Sequence, residues 1–80
     1  MQAIFVQVKC ELGKAYQVAA EAVDTLEEVS EVYSTSGSFD LLIKCYVPDD
    51  QDIGRFVTGR LQTLPGVKDT YTIITFNAFT

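Results

Sequence analysis

Histidine, the commonest general base near neutral pH, is absent from this chain. That removes Ser-His and Cys-His nucleophile arrangements and leaves carboxylates, tyrosines and two thiols as the groups able to do chemistry. Asp49, Asp50 and Asp52 cluster just before a helical pattern, where acidic side chains cap backbone N–H groups and meet the positive end of the helix dipole. Glu21, Glu27, Glu28 and Glu31 fall on or beside another helical stretch and read as hydrated surface. Arg60 reads as a surface charge that complements a helix C-terminus. Gly13-Lys14 precedes a helix and could hold an anion, but a phosphate loop needs a longer Gly-rich run and a Ser or Thr after the lysine, where this chain has Ala15. Two thiols without histidine are too few ligands for a tetrahedral zinc site. The expectation is no catalytic residue, no metal site and no cofactor.

Two stretches carry more specific chemistry. In Thr35-Ser36-Gly37-Ser38-Phe39-Asp40 a glycine permits positive φ and exposed backbone N–H groups, with an aromatic ring and a carboxylate close by. Such a turn can grip a small zwitterion, and it can equally be ordinary turn chemistry in which Asp40 bonds nearby amides. In Val67-Lys68-Asp69-Thr70-Tyr71-Thr72, Thr70 and Thr72 share one side of a strand. Their hydroxyls could orient polar ligand groups, or they are simply good strand formers.

The elements that must position these groups follow from periodicity. Ala3 to Cys10 alternates as a strand, and Ala15, Val18, Ala19, Ala22, Val23 and Leu26 recur at helical spacing. Val29 to Thr35 and Phe39 to Val47 are rich in β-branched and aromatic residues around the Ser36-Gly37-Ser38 turn, which predicts a hairpin. Pro48-Asp49-Asp50 ends that strand; Ile53, Phe56, Val57, Leu61 and Leu64 mark a second helix, which Pro65-Gly66 stops. Val67 to Phe76 alternates again, and Asn77 to Thr80 is a short tail.

The order βαββαβ in 80 residues predicts one α+β domain of ferredoxin-like type spanning residues 1–80. Its compact solution is a four-stranded antiparallel sheet, strand order 4-1-3-2, with both helices on one face. Strict alternation places Ile4, Val6, Val8, Cys10, Phe39, Leu41, Ile43, Cys45, Val47, Tyr71 and Ile73 under the helices. The opposite face receives Phe5, Val32, Leu42, Tyr46, Ile74 and Phe76 among Gln7, Lys9, Lys44, Thr70 and Thr72. With 48% hydrophobic residues, that second face is too apolar for water, so two sheets are expected to pack face to face as a dimeric α+β barrel. Cys10 and Cys45 then lie roughly 20 Å apart along neighbouring strands, beyond the about 7 Å that a disulfide spans.

The net charge is −5, and the six basic residues are scattered singly. Direct nucleic-acid binding, which rests on clustered Lys and Arg, is not expected. The N-terminus carries no signal-peptide pattern and no apolar run is long enough to span a bilayer, so the expected location is the cytoplasm, away from membranes.

With these stretches in place, the chain resembles the ligand-binding domain of the Lrp/AsnC family of prokaryotic transcription regulators over nearly its whole length. The resemblance lies in Val32-Tyr33-Ser34-Thr35-Ser36-Gly37-Ser38-Phe39-Asp40-Leu41-Leu42, in Ile53-Gly54-Arg55-Phe56-Val57, in Leu61-Gln62-Thr63-Leu64-Pro65-Gly66-Val67 and in Thr70-Tyr71-Thr72. It implies transcription regulation by amino-acid sensing, with Thr35, Gly37, Phe39, Asp40, Thr70 and Thr72 as ligand contacts. It further implies a homodimer that assembles into a ring such as an octamer. No DNA-binding domain is read in these residues, so action through full-length Lrp/AsnC regulators is the expected route to transcription. Two alternatives stand beside it: a small dimeric α+β barrel enzyme, and a structural assembly unit that binds nothing.

Overall fold

Strand β1 (Gln2–Cys10) runs through the middle of the sheet with β3 (Leu41–Val47), because their alternating residues fit a face covered by helices. β1 pairs antiparallel with β3, with Ile4 opposite Cys45 and Val8 opposite Leu41. The edge strands are β2 (Val29–Ser34), beside β3, and β4 (Val67–Ile74), beside β1, so the order is β2-β3-β1-β4. The computed structural model describes all 80 residues, Met1–Thr80. Element order, strand order and antiparallel pairing are those read from the sequence.

Helix α1 (Ala15–Thr25) follows Gly13, and helix α2 (Ile53–Phe56) continues as a wider π-helical turn, Val57–Leu61. Of the three aspartates ahead of α2, Asp52 is the cap: its Oδ1 accepts from the Arg55 N–H at 3.0 Å. In the wider turn the Gln62 N–H reaches the carbonyl of Val57, five residues back. The Thr58 and Thr63 hydroxyls donate to the carbonyls of Gly54 and Gly59, a back-bonding that bends helices.

Both helices press on one sheet face. Val18 and Ala22 of α1 with Leu26 just after it, and Phe56, Val57 and Leu61 of the second helical stretch with Leu64 just after it, are buried against Ile4, Val6, Val8, Cys10, Leu41, Ile43, Cys45 and Val47. No polar or charged residue is buried. Gly66, at φ 94°, lets the α2–β4 exit pass under α1; a Cβ there would lie 3.0 Å from Val18 Cγ2. No helix is long and apolar enough to cross a membrane.

The edge strands depart from strict alternation. In β2, Val29 faces Cys45 while Glu31 already faces Lys44, so Ser30 is an extra residue. In β4, Val67 faces Cys10 and Asp69 faces Lys9, so Lys68 is extra. Each bulge moves every later side chain to the other face. Val32 therefore sits opposite Ile43 and packs on the core, not on the open face. Thr70, Thr72 and Ile74 align with Val8, Val6 and Ile4 on the helix side, and Tyr71 and Ile73 align with Gln7 and Phe5 on the open side. Phe39 precedes β3 and lies against Tyr71, ring centroids 6.3 Å apart, rather than under the helices.

The open face is thus two main rows across the strands, Tyr33-Leu42-Gln7-Tyr71 and Glu31-Lys44-Phe5-Ile73, with Tyr46 and Ala3 below. Tyr33, Tyr46, Tyr71 and Ile73 are all exposed on it. The Lys44 ammonium lies 5.1 Å from the Tyr46 ring centroid and 5.9 Å from that of Phe5. It also pairs with Glu31 at 3.7 Å, and the Tyr33 hydroxyl donates to Glu31.

Candidate functional site

The turn between β2 and β3 occupies Thr35 to Asp40 and is pinned to the end of β1. Gly37, at φ 99°, supplies the left-handed residue that the reversal needs. The Thr35 N–H donates to the Asp40 carbonyl at 2.9 Å, and the Thr35 hydroxyl to the Phe39 carbonyl at 3.1 Å. The Asp40 N–H donates to the Val8 carbonyl at 2.9 Å, while its carboxylate Oδ2 accepts from the Cys10 N–H at 2.7 Å. Asp40 is therefore the peg that fastens the turn to β1, and its Oδ1 takes no hydrogen bond within the chain. The Lys9 ammonium adds a contact to the Ser38 carbonyl at 3.3 Å.

Beside this peg lies an open cleft of about 280 Å³ walled by Asp40, Lys9, Cys10, Glu11, the Leu12-Gly13 loop, Ala15 and Lys68. Lys68 is the bulged residue of β4, and the bulge gives it this position. Both charge signs surround one small volume, with carboxylates at Asp40 and Glu11 and ammonium groups at Lys9 and Lys68. Burial, and then the negative charge of Asp40, push the Cys10 thiol upward, so it is a neutral wall and not a nucleophile. Cys10 and Cys45 are both free and buried.

Of the six residues singled out in the sequence, Asp40 alone lines the cleft. Thr35 and Gly37 shape the turn behind it, and Phe39 turns onto the open sheet face against Tyr71. Thr70 and Thr72 stand half-buried on the helix side of β4, where the Thr70 hydroxyl accepts from the Gln62 amide at 2.7 Å. Neither threonine lines the cleft. Sequence reasoning missed Lys9, Lys68 and the Cys10 N–H. Lys68 was visible only as one charge two residues before Thr70, since the bulge that sets it beside the cleft has no composition of its own.

Residues 3–80 match the family model described as the Lrp/AsnC ligand binding domain. The chain is 33% identical over 70 residues to the HTH-type transcriptional regulator FL11 of Pyrococcus abyssi, covering 88% of this chain and 45% of that protein. It is 36% identical over 73 residues to the leucine-responsive regulatory protein of Escherichia coli, covering 89% of this chain and 44% of the other. The chain thus spans less than half the length of these relatives. Among solved structures it resembles TTHA0845 of Thermus thermophilus, with a TM-score of 0.86, 30% identity, and coverage of 100% of this chain and 99% of that one.

Proposed function

The chain belongs to the Lrp/AsnC ligand-binding domain family, and from that membership we propose that it senses a small amino acid at the cleft beside the hairpin turn and assembles with copies of itself. The observation that carries the ligand is the pairing of charges. Asp40 offers Oδ1 while Oδ2 is held on the Cys10 N–H, and Lys68 and Lys9 line the same cleft. A zwitterion needs this pair: a carboxylate acceptor for its ammonium, and ammonium or backbone N–H donors, including those around Gly37, for its carboxylate. Thr35 and Phe39 hold the turn in the shape this requires. Thr70 and Thr72 join the ligand shell in this reading from the β4 edge of a neighbouring copy.

Assembly is supported by the open face, where Tyr33, Tyr46, Tyr71 and Ile73 are exposed together. Two such sheets packed face to face form the dimer of this proposal, and rings of dimers, an octamer among them, complete it. Co-assembly with a full-length family member is the proposed route to transcription. The reading is a binding module and not an enzyme, because the chain has no histidine to serve as a base and the Cys10 thiol at the cleft is pushed upward by burial.

Thermal-shift screening against the twenty amino acids tests the ligand, with leucine first because of the name of the E. coli relative. Ligand at 100 times its dissociation constant should stabilise the fold by about 2.7 kcal/mol. Lys68→Met should weaken that binding roughly tenfold, from the loss of a charged partner, with stability unchanged to within about 0.5 kcal/mol. Silence across the panel would remove sensing and leave assembly. Light scattering at micromolar concentration that returned an 8.9 kDa particle would remove assembly.

A further inference from the structure

β4 ends at Ile74, short of the alternation that the sequence carries from Val67 to Phe76, and residues 75–80 continue without helix or strand. The start of this segment is fixed to β1. The Thr75 hydroxyl donates to the Ala3 carbonyl at 2.6 Å, and the Thr75 carbonyl accepts from Gln2 Nε2 at 2.6 Å. Beyond that anchor the segment borders a cleft of about 360 Å³, with Ala78 and Thr80 on one side and Phe5, Lys44 and Tyr46 of the open sheet face on the other. This cleft is larger than the one beside the hairpin.

The aromatic residues of the segment stay out of its own cleft. Phe76 and Phe79 are each 94% exposed, and neither is among the residues that line it. Ala78 and Thr80, on either side of Phe79, both do, so the Phe79 ring leaves the segment on the opposite side. Phenyl rings are among the side chains that gain most from burial. The chain thus carries, side by side, a roomy cleft with aromatic walls and two rings that it does not itself bury.

We infer that residues 75–80 are an arm exchanged between two copies of the chain: Phe79 of each copy enters the cleft of the other, and Phe76 packs on the open face beside it. The inference rests on the sheet-to-sheet assembly proposed above and names the segment that completes it. Cleft and rings lie on one short segment, so a two-fold axis near that segment engages both at once, and every contact is made twice. Four rings at about 150 Å² each remove roughly 600 Å² from water, about half of the 1,200 Å² at which stable interfaces begin. Tyr33, Tyr46, Tyr71 and Ile73, exposed on the same face, supply the remainder.

The test is sedimentation equilibrium of the full chain beside its Phe79→Ser and Phe76→Ser variants. Both side chains stand in solvent in the single chain, so both variants keep its fold. Phe79→Ser should weaken the dimer at least tenfold and Phe76→Ser several-fold. A second readout mixes Ala3→Cys chains with isotope-labelled Phe79→Cys chains under mild oxidation. Since Cys10 and Cys45 are buried, a disulfide-linked pair holding one chain of each mass is expected. A dimeric parent whose Phe79→Ser variant dimerises equally well overturns the exchanged arm and leaves sheet packing in place. A dimeric mixture without the mixed disulfide overturns it too. A parent chain that stays at 8.9 kDa overturns both readings and leaves the cleft to a partner of another kind.

Discussion

The central strands and the edge strands of this sheet are made of the same kinds of residue, yet only the central pair obeys strict alternation. β1 and β3 are hydrogen-bonded on both sides, and seven register pairs run between them without interruption. β2 and β4 each have one free edge and each carry one extra residue, Ser30 and Lys68. A strand held from two sides cannot accommodate an extra residue without disrupting two ladders, whereas an edge strand disrupts one. The lesson is that the constrained part of the sheet builds the core and the permissive part builds the site, since the β4 bulge places Lys68 beside Asp40.

That contrast can be broken or sharpened by measurement. The largest effect is expected at the centre: Ile43→Ala, at a side chain with no solvent exposure, should destabilise the fold by about 3 kcal/mol in urea denaturation. A loss below about 1 kcal/mol would mean the central layer is not the tightly packed one. Next comes pH. Burial, and to a lesser degree the charge of Glu28, push the Cys45 thiol up from 9.0 to about 12. A folded-state value raised above the unfolded one means the contribution is fully present below pH 9 and is lost as pH rises towards 12. At pH 10 the loss should be about 1.4 kcal/mol relative to pH 8. Alkaline melts of the parent chain and of Cys45→Ala should differ by that component, and superimposable pH profiles would contradict it.

The smallest effect tests the edge strand itself. Val32→Ala removes a side chain that packs on the core and should cost about 1 kcal/mol, whereas Tyr33→Ala on the open face should leave monomer stability within about 0.5 kcal/mol. Equal losses would say that the Ser30 bulge does not set the facing of β2. If the open face is an interface, Tyr33→Ala should instead show itself as a smaller particle in light scattering.

The two ends of the molecule were also unequally legible. The turn Thr35 to Asp40 announced itself through Gly37 and Asp40, because a left-handed residue and an acceptor at fixed spacing are local properties. Its contacts to Val8 and Cys10 were not announced, since they join residues about thirty apart in the chain. At the other end, Glu28 and Arg60 read separately as exposed charges. Only the packing of the second helical stretch against the β2 end of the sheet made them an ion pair.

What the amino-acid sequence determined by itself was the βαββαβ order, the antiparallel sheet with its helices, the apolar stripes of both helices and the alternation of β1 and β3. All of these follow from periods of two and 3.6 residues that local chain geometry imposes. Tertiary structure decided the facing of Val32, Thr70, Tyr71, Thr72 and Ile73, the position of Lys68 in the cleft, and the anchoring of Asp40. Those depend on where a strand absorbs one extra residue while pairing with a distant neighbour, and a single residue there reverses everything that follows it.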